Sequence, residues 1–301
     1  MIGEYRVMKE IFKLENEHLS VRVASLGAEL QSIYSKETEM EYMWQPGYEI
    51  WPHHSMLLFP NPGRIKGDRT VIGGKVYPAT MHGFANDMEF YVLEKGQKNI
   101  VFEIKATEDT RRSFPYEFRL QVEFVLEDDM LYQKFRVVND DKKPMYFSLG
   151  AHPGFYCPLA IGESGDDYQL VFDSPQWIDS LVLEENTRLV TNEKTPWLIG
   201  ESKKDVGDHF FDKGPYLLKG VQAKYITLQS KKSGHFIEMG ISGFPYLCLW
   251  GVPTRMSLIC IEPWCGVSDF VDTDHIWETK KGIECVDVGK TFERMLSFRV
   301  G

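Results

Sequence analysis

Several motifs that would assign the chain to a common functional class are missing. The sequence has no GxGxxG and no GxxxxGK[ST] motif, so neither common type of nucleotide site has support. It has no GxSxG motif of a serine hydrolase and no CxxC pair of a zinc or redox site. Lysine and arginine form nothing longer than pairs, and the net charge is −10. This balance argues against nucleic acid or an anionic membrane as the main partner.

Long apolar runs are also missing. No stretch approaches the ~20 apolar residues that a membrane helix needs. The N-terminal segment MIGEYRVMKEIF lacks the apolar region and cleavage site of a signal peptide. The cysteines are odd in number and lie mostly in apolar runs, which indicates buried thiols in a reducing compartment. We therefore expect a cytoplasmic protein without a membrane partner.

What the sequence does contain is short runs with alternating apolar residues, rich in β-branched and aromatic side chains. Such runs, bounded by turn residues, are typical of strands. They cover 19–35 (interrupted at Gly27), 99–107, 118–127, 130–140, 225–230, 236–242, 246–252, 256–264 and 292–300. The acidic segment 127–129 between two of them predicts a hairpin turn.

Helical periodicity is scarce by comparison, and it suggests only short turns around 201–211 and 266–271. The pattern predicts an all-β fold, a large antiparallel β-sandwich with two sheets packed face to face. No linker-like segment interrupts the strands, so we predict one domain spanning 1–301. The segment 158–200 is rich in Asp, Glu, Pro and Gly, and we expect it to run over the surface and cover a binding cleft.

Two turns carry polar residues on a stiff backbone. In FPNPGRIKG (59–67), two prolines and two glycines fix Asn61 and Arg64. These side chains either hydrogen-bond substrate hydroxyls or belong to a solvated surface turn. In TMHGFAND (80–87), His82 precedes Gly83, and it is either a ligand contact or a structural loop histidine.

Two further stretches place a titratable side chain among apolar residues. In FSLGAHPGFYCPL (147–159), Pro153 forces an extended backbone at His152, and the Pro/Gly content predicts a stiff corner instead of a strand. In LICIEPWCG (258–266), Glu262 ends an apolar strand, where partial desolvation would raise its pKa. The alternatives are a core histidine and a glutamate turned to solvent. Neither stretch has the ligand spacing of a metal site.

A carboxylate and two histidines in stiff settings suit paired general acid and base catalysis on a neutral polyol. The four motifs NPGRI, HGFA, AHPGFYCPL and IEPW, in this order, resemble those of the aldose 1-epimerase (galactose mutarotase-like) family, and its LacX-like branch in particular. The resemblance covers nearly the whole chain. It implies a β-sandwich of the supersandwich type, with a monosaccharide bound in a cleft on one sheet, and mutarotation without a metal or organic cofactor.

The resemblance also implies a role for each motif residue. Glu262 would be the general base on the C1 hydroxyl, and His152 the general acid toward the ring oxygen. His82 would contact the sugar near these atoms. Sugar hydroxyls would be bound by Arg64 with Asn61 nearby. By position alone, the candidates for stacking on a sugar face are Trp250, Phe84 and Phe155.

Two departures from the family pattern leave the substrate open. Sugar-phosphate epimerases of this superfamily often carry an arginine directly after HGFA, where this chain has Asn86. The remaining candidates for an anion site are Arg64, Arg69 and Arg111. A substrate-binding aspartate is expected between the histidine and glutamate motifs, and Asp208 and Asp212 are the nearest candidates. A hexose-phosphate epimerase and a non-catalytic sugar-binding protein therefore remain alternatives to a free-hexose mutarotase.

Overall fold

The computed structural model describes residues 10–46 and 50–301, so the first nine residues of the predicted domain lie outside it. The strands of the first half are β1 (Ile11–Glu15), β2 (Leu19–Ala24), β3 (Leu30–Ser35), β4 (Met40–Glu41), β5 (Ser55–Leu58), β6 (Arg69–Ile72), β7 (Lys75–Pro78), β8 (Tyr91–Lys95), β9 (Asn99–Lys105), β10 (Phe118–Glu127), β11 (Met130–Asn139) and β12 (Met145–Phe147).

The second half of the chain continues in strands. They are β13 (Leu149–Tyr156), β14 (Tyr168–Leu183), β15 (Val190–Asp205), β16 (Tyr216–Lys219), β17 (Tyr225–Ser230), β18 (Phe236–Gly240), β19 (Tyr246–Gly251), β20 (Leu258–Cys265), β21 (Glu284–Val286) and β22 (Thr291–Val300). Helical structure among the described residues is α1 (Glu108–Arg111) and four 3₁₀ turns at Lys66–Asp68, Ala85–Asp87, Gly165–Asp167 and Trp277–Thr279. No helix in this part of the chain is long and apolar enough to span a membrane.

Most strands join one antiparallel sheet of 14 strands. Its order is β5-β13-β20-β19-β16-β14-β17-β18-β22-β11-β10-β9-β8, with β15 paired to β14. A four-stranded sheet (β1–β4) and two pairs (β12–β21 and β6–β7) complete the described fold. The prediction of an all-β, antiparallel architecture is confirmed.

The large sheet curls so that its two halves face each other. Phe155 on β13 contacts Phe298 on β22 at 6.4 Å between ring centroids, although β20, β19, β16, β14, β17 and β18 lie between these strands in the sheet. Phe59, just after β5, lies 5.2 Å from Phe118 on β10 in the same way. One hydrophobic core therefore fills the space between the halves.

The predicted hairpin at 127–129 is present. β10 pairs with β11 through to Glu127 opposite Met130, which leaves a two-residue turn. Asp128 takes a positive φ of 49° there, and its carbonyl accepts a hydrogen bond from Asn16 Nδ2 at 2.7 Å. Burial alternates residue by residue along β10, so the sequence period was a reliable guide to this strand.

The expected helical turns are not formed. β15 runs as far as Asp205 and turns follow at 208–213, while 266–271 contains a bridge from Phe270 to Val190. The segment 158–200 is largely the long hairpin of β14 and β15, and its residues Leu183 and Arg188 line the cavity described below. Most of β15 is exposed on both faces, so no alternation of apolar residues marks it in the sequence.

The stretch around His152 is a further correction, because it is a central strand and not a corner. β13 lies between β5 and β20. Its ladder with β20 is interrupted between Gly150, opposite Trp264, and Gly154, opposite Cys260. Pro153 and Pro263 fall within this gap, where the N–H groups that proline lacks are not needed.

Candidate active site

His152 and Glu262 lie directly opposite each other on neighbouring strands. The register of β13 and β20 is the same on both sides of the interruption, and it sets His152 across from Glu262. The distance from His152 Nε2 to Glu262 Oε1 is 3.3 Å. Both side chains are buried, with 9% and 2% of their surface exposed. Residues more than a hundred positions apart thus form an adjacent pair through sheet register alone.

This pair belongs to a row that crosses the sheet. Met56 on β5 is opposite His152, Cys248 on β19 is opposite Glu262, and Leu217 on β16 is opposite Cys248. Their chain neighbours point the other way, because side chains alternate along a strand, and Ala151, Ile261 and Leu249 are members of the main core. The row therefore lines a cavity of about 650 Å³ on the opposite face of the sheet.

Three buried polar atoms at this cavity lack a hydrogen bond of normal geometry to any described residue. They are Glu262 Oε2, His152 Nδ1 and Trp264 Nε1. All three residues line the cavity. Buried polar atoms are rarely left without a partner, so this cluster of a donor and acceptors is suited to a ligand that carries hydroxyl groups.

Burial shifts the acid–base behaviour of the pair. It raises the pKa of Glu262 well above its ordinary range, and the adjacent Cys248 and Trp264 side chains offset only part of this rise. It lowers the pKa of His152 well below its ordinary value, with a further contribution from His82. Both shifts disfavour charge, and two titratable groups this close together lose and gain protons as a pair.

Two tryptophans fix the His152 ring. Trp51 stacks on it at 4.8 Å between ring centroids and 23° between planes, and Trp250 meets it edge-on at 6.1 Å. A Cβ atom at residue 154 would lie 2.7 Å from Trp51 Cζ3, so Gly154 makes room for the stacked ring. Trp250 lines the cavity as predicted from its position. Trp51 carries no motif, and sequence reasoning missed it.

The other two proposed stacking residues are not at this cavity. Phe155 is fully buried in the core, where it contacts Phe298. Phe84 lines a separate, smaller cavity of about 220 Å³. Both expectations were made from position along the chain. The alternation of side chains along β13 turns Phe155 into the core, and the loop of Phe84 places its ring at the smaller cavity.

His82 reaches the cavity from a loop. Its φ is 66°, its N–H donates to the Gly63 carbonyl at 3.1 Å, and its Nδ1 accepts from the Gly63 N–H at 3.1 Å. The next residue, Gly83, packs against the Phe59 carbonyl, and a Cβ there would come within 2.2 Å of the Phe59 oxygen. Burial, helped by Arg64, lowers the pKa of His82 to about 4. The ring is therefore neutral at neutral pH, with its proton on Nε2.

The NPGR turn has two roles in the structure. The exposed Arg64 side chain lines the cavity, and its guanidinium has no ion-pair partner among the described residues. Asn61 is buried and faces the smaller cavity, and its Nδ2 donates to the carbonyls of Gly63 and Thr80 at 3.3 and 3.0 Å. The expected contact of Asn61 with a ligand is therefore not supported by its placement, because its amide is used to join the two loops.

The structure also distinguishes the aspartate candidates. Asp212 lines the cavity, while its Oδ1 accepts from the Thr254 N–H at 2.8 Å and its Oδ2 lies 2.9 Å from His209 Nδ1. Asp208 instead accepts from the backbone N–H groups of Gly165 and Met256, away from the cavity wall.

Of the arginines considered for an anion site, Arg64 alone is at the cavity. Arg111 is paired with Glu117 elsewhere, at 2.5 Å, and Arg69 does not line the wall. Arg188, in the turn between β14 and β15, lines the cavity, and sequence reasoning missed it. The part of the chain that the structure describes has no group of three or more His, Cys, Asp or Glu residues arranged to hold a metal ion.

Comparison with known proteins decides the family. The sequence matches the family model for aldose 1-epimerase over residues 10–269. The plasmid-encoded protein LacX of Lactococcus lactis subsp. lactis is 31% identical over 278 residues, which cover 89% of this chain and 92% of LacX. The chain belongs to the aldose 1-epimerase family.

Solved structures agree with this assignment. A galactose mutarotase related enzyme from Lactobacillus acidophilus is 29% identical, with a TM-score of 0.91 and 97% of each chain covered. A galactose mutarotase-like protein from Lactobacillus casei is also 29% identical, with a TM-score of 0.89, covering 97% of this chain and all of the other. The predicted galactose mutarotase-like fold and LacX-like resemblance of this family member are both confirmed.

Proposed function

We propose that this member of the aldose 1-epimerase family is a cofactor-independent mutarotase that interconverts the α and β anomers of a free hexose such as galactose or glucose. The observation that carries the proposal is the buried pair of His152 and Glu262, 3.3 Å apart on the wall of a cavity large enough for a monosaccharide. His152 Nδ1 and Glu262 Oε2 have no hydrogen-bond partner among the described residues, so they are available to bind the hydroxyl groups of a sugar.

Mutarotation requires a proton to leave O1 and a proton to reach O5. Ring opening starts from the form of the pair in which the proton lies on His152 and not on Glu262: the Glu262 carboxylate takes the O1 proton, His152 donates its proton to O5, and the C1–O5 bond breaks to give the aldehyde. After rotation about C1–C2, Glu262 returns a proton to O1 while His152 takes one from the O5 hydroxyl, and the ring closes on the other face. A pair that shares one proton can run both directions.

We propose roles for the other residues at or near the wall. Neutral His82 would donate from Nε2 to a sugar oxygen, since its Nδ1 is occupied by Gly63. The guanidinium of Arg64, which lines the cavity, would bind hydroxyls distant from C1. The apolar ring of Trp250 gives a sugar a face to stack on. Asn61 would act indirectly, by holding the loops of Arg64 and His82 together.

The proposal is tested by following fresh α-D-galactose and α-D-glucose with a polarimeter. The protein should raise the rate of approach to anomeric equilibrium above the spontaneous rate. An unchanged rate over a broad panel of aldoses would refute the enzyme assignment. Calorimetry on the same panel then distinguishes a sugar-binding protein, which would release or absorb heat without accelerating the reaction.

A hexose-phosphate 1-epimerase is a second candidate, because Arg188 lines the same wall as Arg64 and neither guanidinium has an ion-pair partner among the described residues. Two arginines are a suitable receptor for a phosphate group. NMR exchange between anomeric protons measures turnover of glucose and glucose 6-phosphate in the same way. A higher kcat/KM for the phosphate, with competitive inhibition by inorganic phosphate, would favour this candidate over the free hexose.

A further inference from the structure

Lys280 and Asp269 form a buried ion pair outside the cavity. Lys280 Nζ lies 2.5 Å from Asp269 Oδ1, and the two residues are 8% and 4% exposed. Burial lowers the pKa of Lys280, and Asp269 offsets part of that shift. Removing charges from water is costly, and a buried pair is weak evidence of a gain in stability. The hydrogen bonds that the pair makes to other segments indicate a more specific role.

Both the side chain and the backbone of Asp269 form hydrogen bonds with the turn that carries Arg64. Asp269 Oδ2 accepts from the Lys66 N–H at 2.9 Å. The Asp269 N–H donates to the Arg64 carbonyl at 2.8 Å, and Ser268 Oγ accepts from the Arg64 N–H at 3.1 Å. The backbone on both sides of Arg64 is thus fixed by two consecutive residues.

The same aspartate also holds the segment that follows Arg188. The Asp269 carbonyl accepts from the Val190 N–H at 2.9 Å, and the Val190 carbonyl accepts from the Val271 N–H at 2.9 Å. The two segments that carry the cavity arginines are more than a hundred residues apart in sequence. They are connected through one residue, whose carboxylate is held in turn by Lys280.

We infer that Asp269 and Lys280 are positioning residues that set the separation of Arg64 and Arg188 on the cavity wall. The pair touches neither the cavity nor His152 and Glu262. Its effect should therefore appear in ligand affinity and not in the proton transfers. This role rests on the proposed function only for the identity of the ligand, because the placement of the arginines is a property of the fold.

The test compares two double variants that both remove the buried charges. Asp269→Asn with Lys280→Gln keeps an acceptor for the Lys66 N–H and an amide hydrogen bond between the two side chains. Asp269→Leu with Lys280→Met removes both. The apolar double should raise KM about tenfold with kcat within about threefold of wild type, while the amide double should stay within about threefold of wild type in both. Asp269→Ala with Lys280→Met repeats the apolar arm with a smaller side chain in case leucine does not fit.

Amide hydrogen exchange gives a readout that does not depend on turnover. The Lys66 amide should lose protection in the apolar double and keep it in the amide double. Equal KM values and equal Lys66 protection in the two doubles would overturn the positioning role. Absence of turnover in the wild type would refute the proposed mutarotase instead, and the exchange comparison would still decide the role of Asp269 and Lys280.

Discussion

The cavity is built from two regions that hold their polar groups in different ways. His152 and Glu262 sit on adjacent strands of the large sheet, in register and almost fully buried. Arg64 and Arg188 are exposed and sit on turns, and those turns are fixed by hydrogen bonds to Asp269. In the sheet, the register of neighbouring strands sets the distance between the two groups, whereas the arginine turns are held by a few hydrogen bonds from the backbone and side chains of Ser268 and Asp269.

Because of this difference, we expect the sheet residues to serve proton transfer and the residues on turns to serve substrate binding. Proton transfer requires fixed distances and a dry environment, which a central sheet supplies. Recognition of the far end of a substrate tolerates more variation, and loops accept substitution more readily than strands do. We therefore expect substitutions in the sheet region to lower kcat and those in the loop region to raise KM.

The largest effect is expected for Glu262→Gln. The amide keeps the shape of the side chain but cannot take the O1 proton, so kcat should fall about a thousandfold with little change in folding. Polarimetry on galactose and a thermal melt measure the two quantities. Glu284→Gln, at a half-buried carboxylate outside the cavity, is the matched control and should leave kcat unchanged. An active Glu262→Gln enzyme would remove Glu262 from the mechanism.

The next effect tests whether His152 needs its stacked partner. Trp51→Leu removes the ring that lies 4.8 Å from the imidazole, so kcat should fall about tenfold as the histidine gains freedom. Trp177→Leu, at a tryptophan 71% exposed on the long hairpin, is the control. Gly154→Ala should act in the same direction as Trp51→Leu, because its methyl group would displace that ring. Unchanged kcat in both would show that the sheet alone orients His152.

A smaller effect is expected at the loop region. Arg64→Gln should raise KM about tenfold, since it removes a guanidinium from the cavity wall, and should change kcat less than about threefold. Arg69→Gln is the control. It changes an exposed arginine that is close in sequence but does not line the cavity, and it should leave both KM and kcat unchanged. A loss of kcat in Arg64→Gln without a change in KM would contradict the division between the two regions.

The smallest effect concerns pH and His82. Its pKa of about 4 in the folded chain lies below the ordinary value of 6.5, so the unfolded chain binds the proton more tightly. The contribution of neutral His82 to the free energy of unfolding is therefore fully present above pH 6.5 and is lost as the pH falls toward 4. His82→Gln should reduce the dependence of Tm on pH in this window. His18→Gln, at an exposed histidine, should leave it intact, and equal slopes in the two variants would refute the assignment.

The sequence predicted the regular strands well, and the reason is local. In β10 and β11 each residue is either in the core or out of it, so the two-residue period can be read without knowing the fold. β13 was predicted wrongly because its Pro and Gly residues are signals of irregular structure in isolation. Only its neighbours show that the proline lies in a gap of the ladder and that Gly154 admits Trp51.

The site was predictable where motifs carried it and not elsewhere. Glu262 and His152 were identified from their motifs, and the structure then brought them to 3.3 Å. Trp51 and Arg188 have no local signal, since an aromatic ring or an arginine in a turn is usually a surface or core feature. The ion pair of Lys280 and Asp269 could not be predicted from the sequence either, because the role proposed for it depends on two turns that are distant in sequence.

The sequence by itself determined the all-β character, the strand periods and the family to which the motifs belong, since these depend on residue type and short-range spacing. The tertiary structure decided which polar groups meet. Strand register set His152 against Glu262, and Asp269 joined the turns of two distant arginines. Such contacts depend on how remote segments pair in space, and a short-range pattern holds no information about that pairing.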